Sequence, residues 1–99
     1  MFTIEYAEGV AEDLVRLSAY RRKAVLDAIE NHLEHEPNVE MRRRKRLHGL
    51  VPPWEHMVPV WELRAREYRV FYDVDEANRT VKIRAIRHKP AHRTTEEIL

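Results

Sequence analysis

The sequence contains no cysteine. A disulfide framework and a thiolate-bound metal site are therefore both excluded. No uninterrupted apolar stretch reaches the roughly 18–20 residues that a membrane-spanning helix needs. The first five residues also lack the basic-then-apolar layout of a signal peptide. We therefore expect a soluble, cytoplasmic protein that makes no membrane contact.

Positive charge is scarce in the first part of the chain and abundant in the second. Residues 1–40 hold four Lys/Arg and nine Asp/Glu, a balance of −5, whereas residues 41–99 hold fourteen and eight, a balance of +6. Fourteen of the 18 cations are arginines, whose planar guanidinium binds a phosphate through two parallel hydrogen bonds. This asymmetry points to a polyanionic partner, and we interpret the basic part of the chain as a nucleic-acid-binding region.

Hydrophobic periodicity divides the chain into helices and strands of a single domain spanning residues 1–99. Helical spacing of apolar residues predicts two helices, over residues 7–18 and 20–35, and a T-x-x-E capping box predicts a helical turn that begins at Thr94. Alternation predicts four strands, over residues 2–6, 58–64, 68–74 and 80–88. The order β-α-α-β-β-β indicates an α+β fold in which an N-terminal helical hairpin packs on one face of an antiparallel sheet.

The other face of this predicted sheet is left uncovered. Alternation places Arg69, Arg84 and His88 on it, with Glu62 and Arg64 beside them on the neighbouring strand. Several cations and a histidine on an open sheet face are unusual for a purely structural surface. This face is therefore the predicted functional surface.

A run of five consecutive cations, Arg42–Arg46, follows Met41. Such a run is either a solvated loop or a loop that binds the backbone of RNA, and the second alternative predicts strong salt dependence. We take it as an RNA-binding segment. The candidate RNA-binding residues are Arg42, Arg43, Arg44, Lys45, Arg46, Arg64, Arg87 and His92.

Several segments together resemble the RelE/ParE superfamily of toxins. They are Lys45-Arg46-Leu47-His48-Gly49-Leu50, Trp61-Glu62-Leu63-Arg64, Tyr68-Arg69-Val70-Phe71-Tyr72-Asp73-Val74, Ile86-Arg87-His88 and His92-Arg93. The resemblance extends over nearly the whole chain, and its most specific part is the segment from Tyr68 to Val74. It implies the toxin component of a type II toxin–antitoxin system, with a cognate antitoxin as partner.

The resemblance also implies a reaction. In the ribosome-dependent nucleases of the superfamily, an arginine matching Arg69 contacts the scissile phosphate of messenger RNA, and His88 is the nearest match to a histidine that acts as general acid in one branch. We therefore expect an mRNA endonuclease with mRNA and the ribosome as partners. However, the lysine pair of the RelE-like branch falls at Val60 and Glu62, so neither lysine is kept, which favours a ParE-like poison of DNA gyrase without catalytic activity. A third alternative is a decayed toxin kept as the antitoxin's partner.

Metal-free RNA cleavage needs a base for the ribose 2′-OH, an acid for the leaving 5′-oxygen and cations for the phosphorane. Arginines supply charge, and His88 carries the side chain whose unperturbed pKa lies near neutrality. For Arg69 and Glu62 the alternative is a cross-strand ion pair, and for His88 it is an exposed histidine without function. The candidate catalytic residues are Arg69, His88, Glu62 and Arg84, and we expect no metal ion and no cofactor.

Overall fold

The computed structural model describes residues 1–99 and contains one five-stranded sheet and three helices. The strands are β1 (Thr3–Tyr6), β2 (Arg44–Leu47), β3 (Val60–Ala65), β4 (Tyr68–Asp75) and β5 (Thr80–His88). The helices are α1 (Val10–Val15), α2 (Ala19–Leu33) and α3 (Thr95–Ile98). The strand order in the sheet is β1-β5-β4-β3-β2, so β1 and β2 are its two edges.

The predicted α+β class is confirmed, with two differences in the sheet. First, the sheet is mixed, because β1 runs parallel to β5 while the other three pairs are antiparallel. Alternation along a strand carries no information about its direction. Second, part of the charged run forms the fifth strand, β2. It was expected as a loop because three of its four residues are cations and no apolar alternation marks it.

The two N-terminal helices are joined through side-chain hydrogen bonds. The Ser18 hydroxyl accepts the Arg21 backbone N–H at 3.3 Å and so caps the start of α2. The Arg22 guanidinium donates to the carbonyl oxygens of Leu14 and Leu17, both at 2.9 Å. The Leu14 carbonyl oxygen also accepts the Leu17 backbone N–H at 3.1 Å, so Arg22 adds side-chain donors at the end of α1 and links α2 to it. None of the three helices combines the length and the apolar character that crossing a lipid bilayer requires.

The hydrophobic core lies between the helices and one face of the sheet. Tyr72 is its largest fully buried side chain, and its hydroxyl donates to the Pro37 carbonyl oxygen at 2.8 Å. Burial raises the pKa of Tyr72. The buried core residues are Phe2, Val10, Val25, Ile29, Leu33, Trp61, Leu63, Tyr68, Val70, Tyr72, Val81, Ile83 and Ile86. The prediction that Trp61 and Leu63 of β3 and Tyr68, Val70 and Tyr72 of β4 face the helices is thereby confirmed.

The segment between β2 and β3, residues 48–59, covers half of the opposite sheet face. The Trp54 ring packs on the Phe71 ring with centroids 5.3 Å apart. The Met57 N–H donates to Asp73 Oδ2 at 2.9 Å. Phe71 and Ala85 are buried as a result. We call this region, around Phe71, Asp73 and Arg84, the covered half, and the expectation that the whole face is open is wrong there.

A β-bulge in β5 changes which side chains face which way. Tyr72 of β4 is opposite Ile83, but Phe71 is opposite Ala85, so Arg84 is the additional residue. Beyond the bulge the alternation is inverted, and Ile86 joins the core while Arg87 is opposite Arg69 on the other face. An uninterrupted period of two, as assumed from the sequence, gives the wrong face for every residue after Arg84.

Candidate functional site

A polar pocket of about 170 Å³ lies on the sheet face opposite the helices, beside the covered half. We call the region around it, centred on Glu62, Arg64 and Arg69, the open half. No apolar side chain lines the pocket, and six of its eight residues are Lys or Arg. The lining residues are Arg42, Arg43, Lys45, Glu62, Arg64, Arg69, Lys89 and Thr95. Its composition suits a small anionic group rather than an apolar ligand.

Glu62 is the one carboxylate of the pocket. Its position in β3 places it opposite Lys45 of β2 and Phe71 of β4. The Glu62 side chain is 3% exposed and pairs with Arg69 Nε at 3.3 Å and Lys45 Nζ at 3.9 Å. The Thr95 hydroxyl also donates to its Oε1 at 3.3 Å. Oε2, which faces Lys45, is therefore the oxygen left for another hydroxyl.

Arg69 is held in place by the chain around it. Besides the Glu62 pair, its Nη1 donates to the carbonyl oxygens of Arg66 at 2.8 Å and Tyr68 at 2.9 Å. Burial lowers the pKa of the Arg69 guanidinium, Glu62 raises it, and Arg64 lowers it. The Nη2 donors have no protein acceptor, so they are free to bind an anion in the pocket. The structure thus brings the predicted residues Arg69, Glu62 and Arg64 together.

His88 is not in this pocket, and its predicted placement is wrong. The β5 bulge turns it to the helix-covered side, where its ring lies 5.4 Å from that of Tyr68, its cross-strand partner. His88 and Tyr68 line a separate depression together with Asp13 and Arg16 of the α1 region. His92 is exposed in the turn after β5 and does not line the pocket either.

Arg84 faces the loop-covered side but is separated from Arg69. Its Nε donates to Asp73 Oδ2 at 2.8 Å, and the same oxygen accepts the Met57 N–H. The prediction that Arg84 and Arg69 form one cluster is therefore wrong, because residues 48–59 enclose Arg84 in the covered half.

The charged run does not form one surface. Arg44 is only 5% exposed and turns to the helix side, where its guanidinium donates to the His32 carbonyl oxygen and to the Met41 sulfur. Arg46 is opposite Trp61, on the same side of the sheet as Arg44. The prediction that all five cations share one RNA-binding loop is wrong, because β2 alternates. Arg42, Arg43 and Lys45 line the pocket.

Arg87 lies on the same face as Arg69, at the border between the two halves. Its Nη1 pairs with Asp13 Oδ2 at 3.1 Å, and its guanidinium lies over the Trp54 ring, 5.0 Å from the centroid. The same Asp13 oxygen accepts the Ile86 N–H at 3.1 Å. One end of β5 is thus tied to α1 and to the covering loop.

The comparison with protein families identifies the chain. A family model for the ParE toxin of the type II toxin–antitoxin system, parDE, matches residues 4–90. The chain belongs to this toxin family. The resemblance to the RelE/ParE superfamily is thereby confirmed. No curated protein matches the toxin.

Solved structures share the toxin's fold. A chain of the RelBE2 toxin–antitoxin complex from Mycobacterium tuberculosis matches at a TM-score of 0.70 and 24% identity, covering 89% of the toxin and 98% of that chain. A chain of the RelE–RelB complex from Pyrococcus horikoshii matches at 0.69 and 22%, covering 94% and 98%. The isolated RelE toxin of Escherichia coli matches at 0.70 and 15%, covering 96% and 89%. At these identities the likeness establishes the fold alone.

Two pocket residues of the toxin, Lys89 and Thr95, were not predicted as site residues. The Lys89 N–H donates to the Glu67 carbonyl oxygen at 2.6 Å, which holds the chain beside the β3–β4 turn. Thr95 begins α3, and the predicted capping box between Thr94 and Glu97 is confirmed. The sequence signals the helix start at Thr94, but it has no signal for the contact between Thr95 and Glu62, 33 residues away.

Proposed function

We propose that the toxin is a ribosome-dependent mRNA endonuclease whose pocket in the open half binds and cleaves RNA. The observation that carries this proposal is the buried Glu62 carboxylate in a pocket otherwise lined by six cations and a threonine. The cations are suited to binding a phosphodiester, and the carboxylate is suited to abstracting a proton from a hydroxyl. Only two of the six cations, Lys45 and Arg69, pair with Glu62, so a structural ion pair does not account for the others.

The proposed reaction uses Glu62 as base and Lys45 as acid. The ribose 2′-oxygen bonds to the adjacent phosphorus, and its proton passes to Glu62 Oε2. The bond between phosphorus and the 5′-oxygen breaks, and that oxygen takes a proton from the Lys45 ammonium. The products are a 2′,3′-cyclic phosphate and a 5′-hydroxyl. Transfer of the proton from Glu62 to Lys45, whose Nζ lies 3.9 Å from Oε2, restores both groups.

The arginines of the pocket stabilise the phosphorane in this proposal. Arg69 presents its free Nη2 donors from a guanidinium that its other hydrogen bonds hold fixed. Donors fixed in advance lose little orientational freedom in the transition state, which is the main reason why such groups accelerate charge-forming reactions. Arg64, directly opposite Arg69, adds positive charge to the same pocket without contacting the scissile phosphate in this proposal.

A cognate antitoxin is the second proposed partner. The family is that of toxins in toxin–antitoxin systems, and the matched chains from M. tuberculosis and P. horikoshii come from toxin–antitoxin complexes. The cations of the pocket would attract an acidic antitoxin segment. We propose that both antitoxin binding and the reaction take place in the cytoplasm.

The test is single-turnover cleavage of mRNA on programmed ribosomes, together with primer extension on cellular mRNA after induction. We expect growth arrest and cleavage within codons that are being translated. Growth at the normal rate with full-length folded protein present would contradict an active toxin. Growth arrest with intact mRNA would contradict the nuclease.

A ParE-like poison of DNA gyrase is the second candidate. The observation in its favour is that the pocket lacks an imidazole, because His88 lies on the other side of the sheet. A protein that acts by binding alone needs no general acid. Induction of the DNA-damage response with intact mRNA would support this candidate in the same experiment.

A further inference from the structure

Four arginines occupy matching positions across the sheet, three on β3, β4 and β5 and one directly before β2. Arg69 of β4 is opposite Arg64 of β3 on one side and Arg87 of β5 on the other. The Arg64 N–H donates to the Arg43 carbonyl oxygen at 2.8 Å, and Arg43 directly precedes β2, whose first residue, Arg44, is opposite Leu63. The four residues therefore form a row across the sheet, in the order Arg43, Arg64, Arg69 and Arg87. We call it the arginine row.

The arginine row is unfavourable in the free protein. Like charges directly opposite each other on neighbouring strands destabilise a sheet. Arg69 and Arg87 are each compensated by one carboxylate, Glu62 and Asp13. Arg43 and Arg64 form no ion pair with any carboxylate, and both are exposed. Two positive charges of the row thus remain available to an external anion.

The two ends of the row differ. At the β5 end, Arg87 lies over the Trp54 ring and pairs with Asp13 of α1, and its side chain is 32% exposed. At the other end, β2 is the edge of the sheet, and Arg42, Arg43 and Lys45 are exposed there. A long anion can therefore leave the protein at the β2 edge, whereas beyond Arg87 it would meet an aromatic ring and a negative charge.

The length of the row suits more than one phosphate. Neighbouring strands are about 4.8 Å apart, so three intervals span about 14 Å. Nucleotides of a stacked strand rise by about 3.4 Å, and an extended strand has a longer repeat. About two or three consecutive phosphates of an extended strand therefore fit along the row.

We propose that the arginine row binds consecutive phosphates of one RNA strand, which crosses the strands of the sheet and leaves the toxin over the β2 edge. This inference rests on the proposed function, because it takes the bound anion to be the RNA substrate. It assigns Arg43 and Arg64 to the substrate backbone beyond the phosphate at Arg69, on the side away from Arg87.

The first test is the salt dependence of RNA binding by the free toxin. The probe is a short single-stranded RNA with 2′-O-methyl riboses, which cannot act as nucleophiles. Each phosphate contact contributes about −0.7 to the slope of log K against log salt. We expect Arg43→Gln and Arg64→Gln each to flatten the slope by up to about 0.7. Arg16→Gln, which removes an exposed arginine of the α1 region, is the matched control and should leave the slope unchanged.

The second test maps the order of the contacts. Single methylphosphonate linkages neutralise one phosphate of the probe at a time. We expect Arg43→Gln and Arg87→Gln to lose sensitivity to two different phosphates, with Arg64→Gln affecting one at or between them. Because Arg87 also pairs with Asp13, thermal melting of each variant establishes that it is folded. Arg43 and Arg64 are exposed, so their variants keep the test decisive if Arg87→Gln unfolds.

Two results would overturn the inference: unchanged slopes in both Arg43→Gln and Arg64→Gln, or loss of sensitivity to the same phosphate in all variants. Cleavage on programmed ribosomes is measured in parallel with the wild-type toxin. If the wild-type toxin cleaves mRNA but the slopes of both variants are unchanged, the arginine row is rejected and the proposed nuclease is not. Flattened slopes without any cleavage support the row and reject the proposed nuclease.

Discussion

Two buried arginine–carboxylate pairs lie on the same face of the sheet and differ in what surrounds them. In the covered half, Arg84 and Asp73 are 2.8 Å apart, and in the open half Arg69 and Glu62 are 3.3 Å apart. In both pairs the arginine side chain is 12% exposed and the carboxylate 3%. Distance and burial therefore do not distinguish them.

The neighbours of each pair do distinguish them. The Met57 N–H completes the Asp73 site, and Trp54 and Phe71 pack beside it. The Glu62 site instead adjoins an open pocket with surplus cations, among them Lys45 and Arg64. A short, buried ion pair is present in both halves and therefore does not by itself indicate function. The comparison teaches that unbalanced charge beside a buried pair is the better criterion.

The largest expected effect separates the two carboxylates by activity. Glu62→Gln keeps the shape of the side chain but removes the proposed base, so the cleavage rate should fall by about 10²–10⁴-fold. Asp73→Asn should leave the rate per folded molecule unchanged. Single-turnover cleavage on programmed ribosomes, corrected for the folded fraction, measures both. Equal loss in the two variants would contradict the distinction.

The second effect separates the pairs by stability. Asp73→Ala leaves Arg84 and the Met57 N–H without their acceptor in the covered half, which should cost about 3–5 kcal/mol. For a domain of this size that lowers the melting temperature by roughly 10–30 °C. Glu55→Ala, which removes an exposed carboxylate of the same loop, is the control and should melt like the wild type. A variant of Asp73 with unchanged melting would show that the covered pair contributes nothing.

A smaller effect is expected at His88. Its ring packs against Tyr68 on the helix-covered side, away from the pocket. His88→Gln should therefore change the single-turnover cleavage rate by less than about tenfold, below the range typical for losing a general acid. A loss of a hundredfold or more would return His88 to the mechanism and contradict Lys45 as the acid.

The smallest effect concerns α3, which brings Thr95 to Glu62 and has no counterpart over Asp73. The pKa of Glu97 is lowered by hydrogen bonds. The largest effect comes from the Thr94 backbone, followed by the Thr94 side chain and the Arg93 side chain. Because the pKa of Glu97 is lowered in the folded state, the cap stabilises α3 above pH 4.5. This stabilisation is lost as the pH falls through the pKa that Glu97 has in the folded protein. An NMR titration of the Glu97 carboxyl should show a midpoint below 4.5. Thr94→Ala should raise it, and an unchanged midpoint would contradict the cap as its cause.

The sequence predicted the elements whose patterns are local. Alternation along β4 correctly separated Tyr68, Val70 and Tyr72 from Arg69. The capping box at Thr94 was also found, because its partners are three residues apart. The joint placement of Glu62, Arg64 and Arg69 followed from alternation on two neighbouring strands. Their roles in binding or catalysis remain predictions.

The errors arose where a distant contact overrides the local pattern. The loop that covers Arg84 is held by Trp54 and Met57, whose partners lie on β4. Arg44 was predicted to bind RNA with the rest of the charged run, but its guanidinium donates to the His32 carbonyl oxygen of α2. Lys89 and Thr95 reach the pocket only because the chain returns there after β5. None of these contacts leaves a periodic signal in the sequence.

The bulge at Arg84 also affects how this toxin is compared with its relatives. A bulge is one residue of additional length inside a paired strand, so the same residues paired without a bulge would expose the opposite set of side chains from that point onward. Deleting Arg84 would remove the additional residue, so β5 would alternate without interruption, Arg87 would stay opposite Arg69 and His88 would stay opposite Tyr68. An alignment between this toxin and a relative without the bulge therefore needs a gap at Arg84; without that gap, Arg87 and His88 are each matched to a residue of the opposite face of the sheet.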